Sequence, residues 1–223
     1  QSILLGTGKD FYVRANVWPS TADVAGGRLY QDQLAYNIAH DHNFSFLTVS
    51  YLGTGYETDI YEYDYNKVVG YPGEAVDLRF LEHARFAAGQ VMYYRACRDA
   101  HIQYPPTEMT LSLNLMIRSP EIRMRDQYFF DLEKKTLLGY LPETDSARRA
   151  DMLMIAGQLG DGRTQELLND LSVRHPSRST RLAALESLSQ LAPAEAQRVW
   201  ERGCDDQSAL VAQTSRQKLR ALS

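Results

Sequence analysis

Three of the chain's five histidines stand in a pattern that could hold a metal ion: His40-Asp41-His42, and His101 farther along. Side chains at i and i+2 of a β-strand point to the same face. Two imidazoles so placed can grip one ion, and a histidine from a neighbouring strand can complete a facial three-nitrogen site. Three neutral imidazoles suit Fe(II), Zn(II), Ni(II) or Cu(II) and leave one face of the ion open. With Fe(II), that face can take a bidentate substrate and O₂ together. The ion keeps its +2 charge, so an anionic thiolate or carboxylate would balance it. Asp41 cannot join both flanking histidines, because it points to the opposite face. A site of His42, His101 and a distant glutamate is the alternative.

These residues need strands to position them. Residues 1 to about 140 carry short runs rich in Val, Ile, Tyr, Phe and Thr between Gly, Pro and Asn/Asp. The runs are Phe11–Val17, Gln33–Ile38, Phe44–Tyr51, Glu57–Tyr63, Val76–Phe86, Gln90–Arg95 and Met109–Ile117. Many short strands with turns between them predict a sandwich or barrel. Thr110 to Leu115 alternates polar and apolar, as a half-buried strand does. His40 and His42 read as part of a strand leading to the turn Leu52-Gly53-Thr54-Gly55, with His101 just beyond the strand ending at Arg95. Tyr36 shares the parity of His40 and His42 and could face the same cavity. His83 reads as structural, His175 as solvated in a loop, and Cys97 as a buried structural thiol.

After Pro142 the period changes. Apolar residues recur at helical spacing in a segment rich in Ala, Leu, Arg, Gln and Glu. Helices are expected at 146–159, 163–174, 179–191, 194–203 and 207–222, with Asp145, Ser177 and Asp206 as N-caps. Arg148-Arg149-Ala150-Asp151-Met152-Leu153 is echoed by Thr180-Arg181-Leu182-Ala183-Ala184-Leu185, and Gln158-Leu159-Gly160 by Gln190-Leu191-Ala192. A helix-pair repeat of this period resembles HEAT-like solenoids, with an irregular helical bundle as the alternative. The chain is thus read as multidomain α+β: residues 1–142 a β-sandwich or barrel, residues 143–223 a short all-α HEAT-like array. That array has little to offer catalysis and is expected to serve recognition of a protein partner.

The net charge of −4 and pI near 5.8 argue against nucleic-acid binding. No apolar run approaches the ~20 residues that span a bilayer, so no membrane association is expected. Cys97 and Cys204 fall in different segments, so a disulfide is not expected and a reducing cytoplasm is the default compartment. The chain opens at Gln1, without an initiator Met, in what reads as a strand, so residues are expected to precede it.

The histidine pattern resembles the cupin superfamily, small β-barrels with H-x-H on one strand and a third His on a later one. Most cupins also place a glutamate four or five residues after the second His, where this chain has Phe46 and Leu47. Without that glutamate, the order His40-Asp41-His42, Phe46-Leu47, Leu52-Gly53, Glu57-Thr58 resembles the thiol dioxygenases, the cysteine dioxygenase branch. Tyr12-Val13-Arg14 resembles that branch's Tyr-x-Arg segment, whose arginine holds the substrate carboxylate. Ser112-Leu113-Asn114 resembles its S-L-H segment, part of a Ser-His-Tyr relay beside the iron. Here Asn114 and Met116 replace the relay's His and Tyr, so the relay is broken and the substrate need not be cysteine. The resemblance covers residues 11 to 118. It implies Fe(II) held by His40, His42 and His101, with Arg14, Tyr36, Ser112 and Asn114 toward the substrate. The activity it implies is oxygenation of a small carboxylate- or thiol-bearing molecule or a peptide side chain. The alternative is a non-catalytic cupin sensor or adaptor whose helices dock a protein.

Overall fold

The computed structural model describes residues 1–25, 34–141 and 144–222. Its β part is two antiparallel sheets. The first has the order β1 (Ser2–Thr7), β2 (Phe11–Trp18), β9 (Thr110–Ile117), β4 (Phe46–Leu52), β7 (Val91–Tyr94). The second runs β11 (Thr136–Tyr140), β10 (Tyr128–Asp131), β3 (Ala39–Asp41), β8 (Asp99–Gln103), β5 (Tyr56–Glu62), β6 (Arg79–Phe86). The sheets share one core: Phe46 and Met116 of the first cluster with Ile60 of the second, and Trp18 with Tyr56 and Phe86.

The first sheet inverts the usual pattern. In β9 the buried residues are Thr110, Ser112, Asn114 and Met116, while Leu111, Leu113 and Leu115 keep partial exposure. In β4, Thr48 and Ser50 are buried and Leu47 is exposed. The alternation read from the sequence is there, but its polar half faces in.

The chain crosses between sheets at glycines. Gly53 and Gly55, between β4 and β5, adopt φ of 95° and 78°. A Cβ at Gly55 would sit 1.9 Å from the Phe86 carbonyl oxygen, so the turn requires glycine twice over.

Several boundaries differ from expectation. Gln33 lies outside the described residues, and Leu34 to Ile38 form no strand beyond a single bridge from Tyr36 to Gln103. Asn37, at φ 58°, breaks the extended run. His40 therefore stands on its own short strand, separate from β4. β8, β10 and β11 were not expected; β8 is short and polar and lacks β-branched enrichment.

The helical part comprises α2 (Asp145–Leu159), α3 (Gly162–Arg174), α4 (Arg178–Leu191), α5 (Ala196–Gly203) and α6 (Ala209–Leu222); a short α1 (Thr21–Ala25) lies in the β part. Leu168, Leu185, Leu188, Trp200 and Val211 form its core. Ser177 caps α4 as expected. Thr144, not Asp145, caps α2, its side chain accepting from Ala147 N. Asp206 holds the turn before α6, accepting from Ser208 N and pairing with buried Arg181.

By contacts the chain divides into Gln1–Val68, Pro72–Ile122 and Gln127–Gly139 on one side, and Val69–Tyr71, Arg123–Asp126 and Tyr140–Ser223 on the other. The helical unit thus includes two short segments from within the β half. Pro142, the expected cut, is outside the described residues. No described helix is long and apolar enough to cross a membrane.

Candidate metal centre

β3 and β8 pair so that His40 lies directly opposite His101. His42 follows one residue past β3, on the same face. The three side chains each offer a nitrogen, all within 4.8 Å of one another, and all three residues are buried. Among the described residues no other His, Cys, Asp and Glu group converges in this way.

His42 Nε2 and His101 Nε2 are 3.0 Å apart. Two nitrogens at about 2.1 Å from one ion and at right angles about it would be separated by about 3.0 Å. His40 Nδ1 lies 2.9 Å from the Ile38 carbonyl oxygen. Only a protonated Nδ1 can bond there, which leaves Nε2 as the free lone pair. His42 Nδ1 lies 3.4 Å from Gln127 Nε2, which donates to the Asp41 carbonyl at 2.8 Å. His101 Nδ1 is buried without a partner, and the Tyr94 ring packs against its imidazole.

Burial lowers the pKa of all three histidines, and for His42 and His101 the neighbouring imidazoles lower it further. Neutral imidazoles are the form that binds metal. The donor set therefore fits a divalent ion.

Among the described residues no carboxylate joins them. Asp41 faces away and is fully buried, accepting from Tyr63 Oη at 2.6 Å and Tyr128 N at 2.6 Å. Glu57 and Glu82 are exposed, so the described residues do not form the alternative site with a distant glutamate. His83 is also exposed. It sits 2.5 Å from Asp59 Oδ1, and this bond raises its pKa. It is thus an exposed ion-pair partner on β6, away from the three histidines. His175 Nδ1 accepts from Ser177 N at the start of α4. Cys97 is buried and not in a disulfide.

Across the core, the register of the first sheet sets Arg14, Asn114 and Thr48 in one row on β2, β9 and β4. Arg14 Nε is buried with no hydrogen-bond partner. Desolvation lowers the pKa of Arg14, and its charge in turn depresses His40 and His42. The Asn114 side chain is oriented by its neighbours. Its Oδ1 accepts from Thr48 Oγ1 at 2.7 Å and Ser112 Oγ at 3.2 Å. Ser112 Oγ in turn accepts from the Trp18 indole at 3.0 Å.

Tyr36 packs beside Trp18 and Tyr56, and its hydroxyl donates to the Pro19 carbonyl at 2.8 Å. The parity argument that aimed it at the cavity assumed an unbroken strand, which the turn at Asn37 removes. Sequence reasoning missed Thr48 and Gln127. Thr48 had a signal, a polar residue at the parity of Phe46 within an apolar run. Gln127 had none.

No family model matches the chain, and no curated protein matches it. Similar solved structures include hydroquinone 1,2-dioxygenase from Sphingomonas sp. TTNP3 with 4-hydroxybenzoate bound (8% identity, TM-score 0.36, 53% of this chain and 65% of that one). DMSP lyase DddQ from Ruegeria pomeroyi DSS-3 is 12% identical, with a TM-score of 0.30 over 54% of this chain and 48% of that one. A cupin domain from Bordetella pertussis Tohama I is 11% identical, with a TM-score of 0.28 over 53% of this chain and 93% of that one. The chain thus spans less than two thirds of the dioxygenase and of the lyase.

Proposed function

We propose that the chain is a cupin of the three-histidine type and acts as a non-haem Fe(II)-dependent dioxygenase on a small anionic substrate. One observation carries this reading: among the described residues, three buried neutral imidazoles converge without a carboxylate, across the core from a partly buried arginine whose Nε is buried and unpartnered. A divalent ion there would add +2 to the +1 of Arg14, and among the described residues no acidic side chain joins the site to balance either. An anionic ligand restores neutrality. A bound Fe(II) would supply open coordination positions for substrate and O₂.

The chain's own residues do the rest. His40, His42 and His101 hold the ion, His40 oriented by the Ile38 carbonyl. Arg14 grips a carboxylate on the substrate, for which a guanidinium fork is suited. Asn114, with Ser112 and Thr48 fixing its amide, presents a neutral donor where the resembled relay has a titratable imidazole. Tyr36, bonded to Pro19, supports the wall of the core. Phe46, packed edge-on against His42, helps keep water from the imidazoles.

The test is anaerobic purification with metal analysis, then O₂ uptake against a panel of small thiols and carboxylates. Stoichiometric iron and ligand-dependent uptake support the enzyme. Iron-free protein that binds the acids unchanged supports the second reading, a ligand-binding sensor or adaptor. The observation favouring that one is the helical unit, where Met152, Ile155 and Leu159 form an exposed apolar stripe on α2. The packing of α2 and α3 on α4, and of α4 on α5, supports reading the unit as a short HEAT-like array that docks a protein partner.

A further inference from the structure

The inversion in the first sheet has a second side. If the polar residues of β2, β9 and β4 face the core, their apolar residues face out. The register lines Val13, Leu115, Leu47 and Tyr93 into one outward row across β2, β9, β4 and β7. The next row repeats the pattern and ends on Val91 at the edge. From Phe11 to Val17 and from Leu111 to Ile117, every outward position is apolar, and none is buried. No outward position on these four strands carries a charge. Val91 is 63% exposed and Tyr93 58%.

Three strands of seven or eight residues and one of four, spaced by about 4.8 Å with a rise of about 3.4 Å per residue, make a footprint of about 440 Å² before side-chain relief is counted. That already matches the largest apolar patch of a typical monomer, about 300–600 Å² and often functional. The flat footprint alone is about half of the ~800 Å² that each partner contributes to a standard interface, before the relief of its leucine and tyrosine side chains is added. Scattered surface leucines need no explanation, but a whole sheet face without a charge does.

We propose that two copies of the chain pack this face of β2, β9, β4 and β7 against each other in a two-fold dimer. A twisted sheet meets its own copy with matching twist, which is how aligned sheets stack at about 30°. An isologous contact needs only that one patch complement itself. Homodimer interfaces are the most apolar class, with few charges at the centre and aromatic residues enriched. This face has that composition, with Tyr93 and Tyr51 toward the β7 side. It offers no charge with which to specify a different partner.

Sedimentation equilibrium on the 223-residue chain tests this. The unmodified protein should be dimeric across a wide concentration range. Leu47→Glu places a carboxylate in the middle of the apolar row and should weaken the dimer by at least about tenfold, with unchanged far-UV circular dichroism. Met152→Glu, on the exposed stripe of α2, should leave the dimer intact. If Leu47→Glu does not fold, Val91→Lys at the exposed rim is read in its place. A monomeric unmodified protein overturns the proposal, as does a folded sheet variant that stays dimeric. Dissociation by Met152→Glu alone would move the interface to the helices and overturn it too.

Discussion

His40 and His101 are cross-strand partners on β3 and β8, so the antiparallel ladder itself sets the distance between two of the three candidate ligands. His42, just past the end of β3, closes the group with its Nε2 3.0 Å from that of His101. Two of the three nitrogens are therefore placed by backbone pairing, which a side-chain substitution leaves in place.

Replacing any one of them should remove metal without unfolding the chain. His42→Ala is expected to abolish stoichiometric binding of Fe(II), while the unfolding midpoint of the metal-free protein changes little or rises. Elemental analysis after anaerobic loading checks this. Full occupancy in His42→Ala would show that the site is elsewhere.

Arg14 offers a test that separates binding from stability. A partly buried cation with a buried, unsatisfied Nε costs folding free energy, so Arg14→Met should hold or raise the unfolding midpoint. The same change should weaken binding of carboxylate ligands by about tenfold to a hundredfold, the 1.5–3 kcal/mol of a charge-assisted hydrogen bond. Arg14→Lys should fall between. Isothermal titration with small carboxylic acids decides it, and equal affinity in all three proteins would release Arg14 from the ligand.

The histidine pKa values fix the sign of a pH effect in metal-free protein. Burial holds all three below the ordinary value near 6.5. Between that value and the lower folded one, the unfolded chain binds more protons than the folded chain. Stability is then full above about pH 6.5 and declines as the pH drops, by up to about 1.4 kcal/mol per pH unit for each histidine. Denaturation midpoints measured from pH 7.5 to 5.5 should show this slope, and a His42→Gln, His101→Gln variant should flatten it. A level wild-type profile would contradict it.

The helical unit has its own weak point. Asp126 is buried and accepts from Ser146 Oγ and Ser179 Oγ, both at 2.7 Å, with Arg178 Nε at 3.4 Å. It ties the first turns of α2 and α4 together. Asp126→Ala leaves a largely buried guanidinium and two hydroxyls without it and should cost about 3 kcal/mol. Urea unfolding followed through Trp200 would report the loss, and an unchanged midpoint would refute this role.

The helices were legible in the sequence because their 3.6-residue period runs for several turns between clear stops at Gly160, Pro176 and Pro193. The histidine trio was legible from residue type and spacing, although its strands were not. β3 is three residues long and β8 is polar, so neither carries the apolar run by which strands are found. The direction of β9 was the least legible feature. Alternation fixes that one half of a strand is buried and says nothing about which half. Ser112 and Asn114 find their hydrogen-bond partners inside, in Trp18 of β2 and Thr48 of β4, a fact of pairing between distant segments. Tyr36 was misaimed for a local reason, the left-handed residue at Asn37.

The pairing of β3 with β8 joins segments separated by about 60 residues, and an ion shared by them would act as a removable cross-link. Closing a loop of that size restricts the unfolded chain in the way a disulfide does, by a few kcal/mol. Loading the site should therefore slow amide hydrogen exchange at Ala39 to Asp41 and Asp99 to Gln103 far more than in α3 to α6. The chemistry and the fastening of the fold would then rest on the same three rings, and a cell short of metal would lose both together.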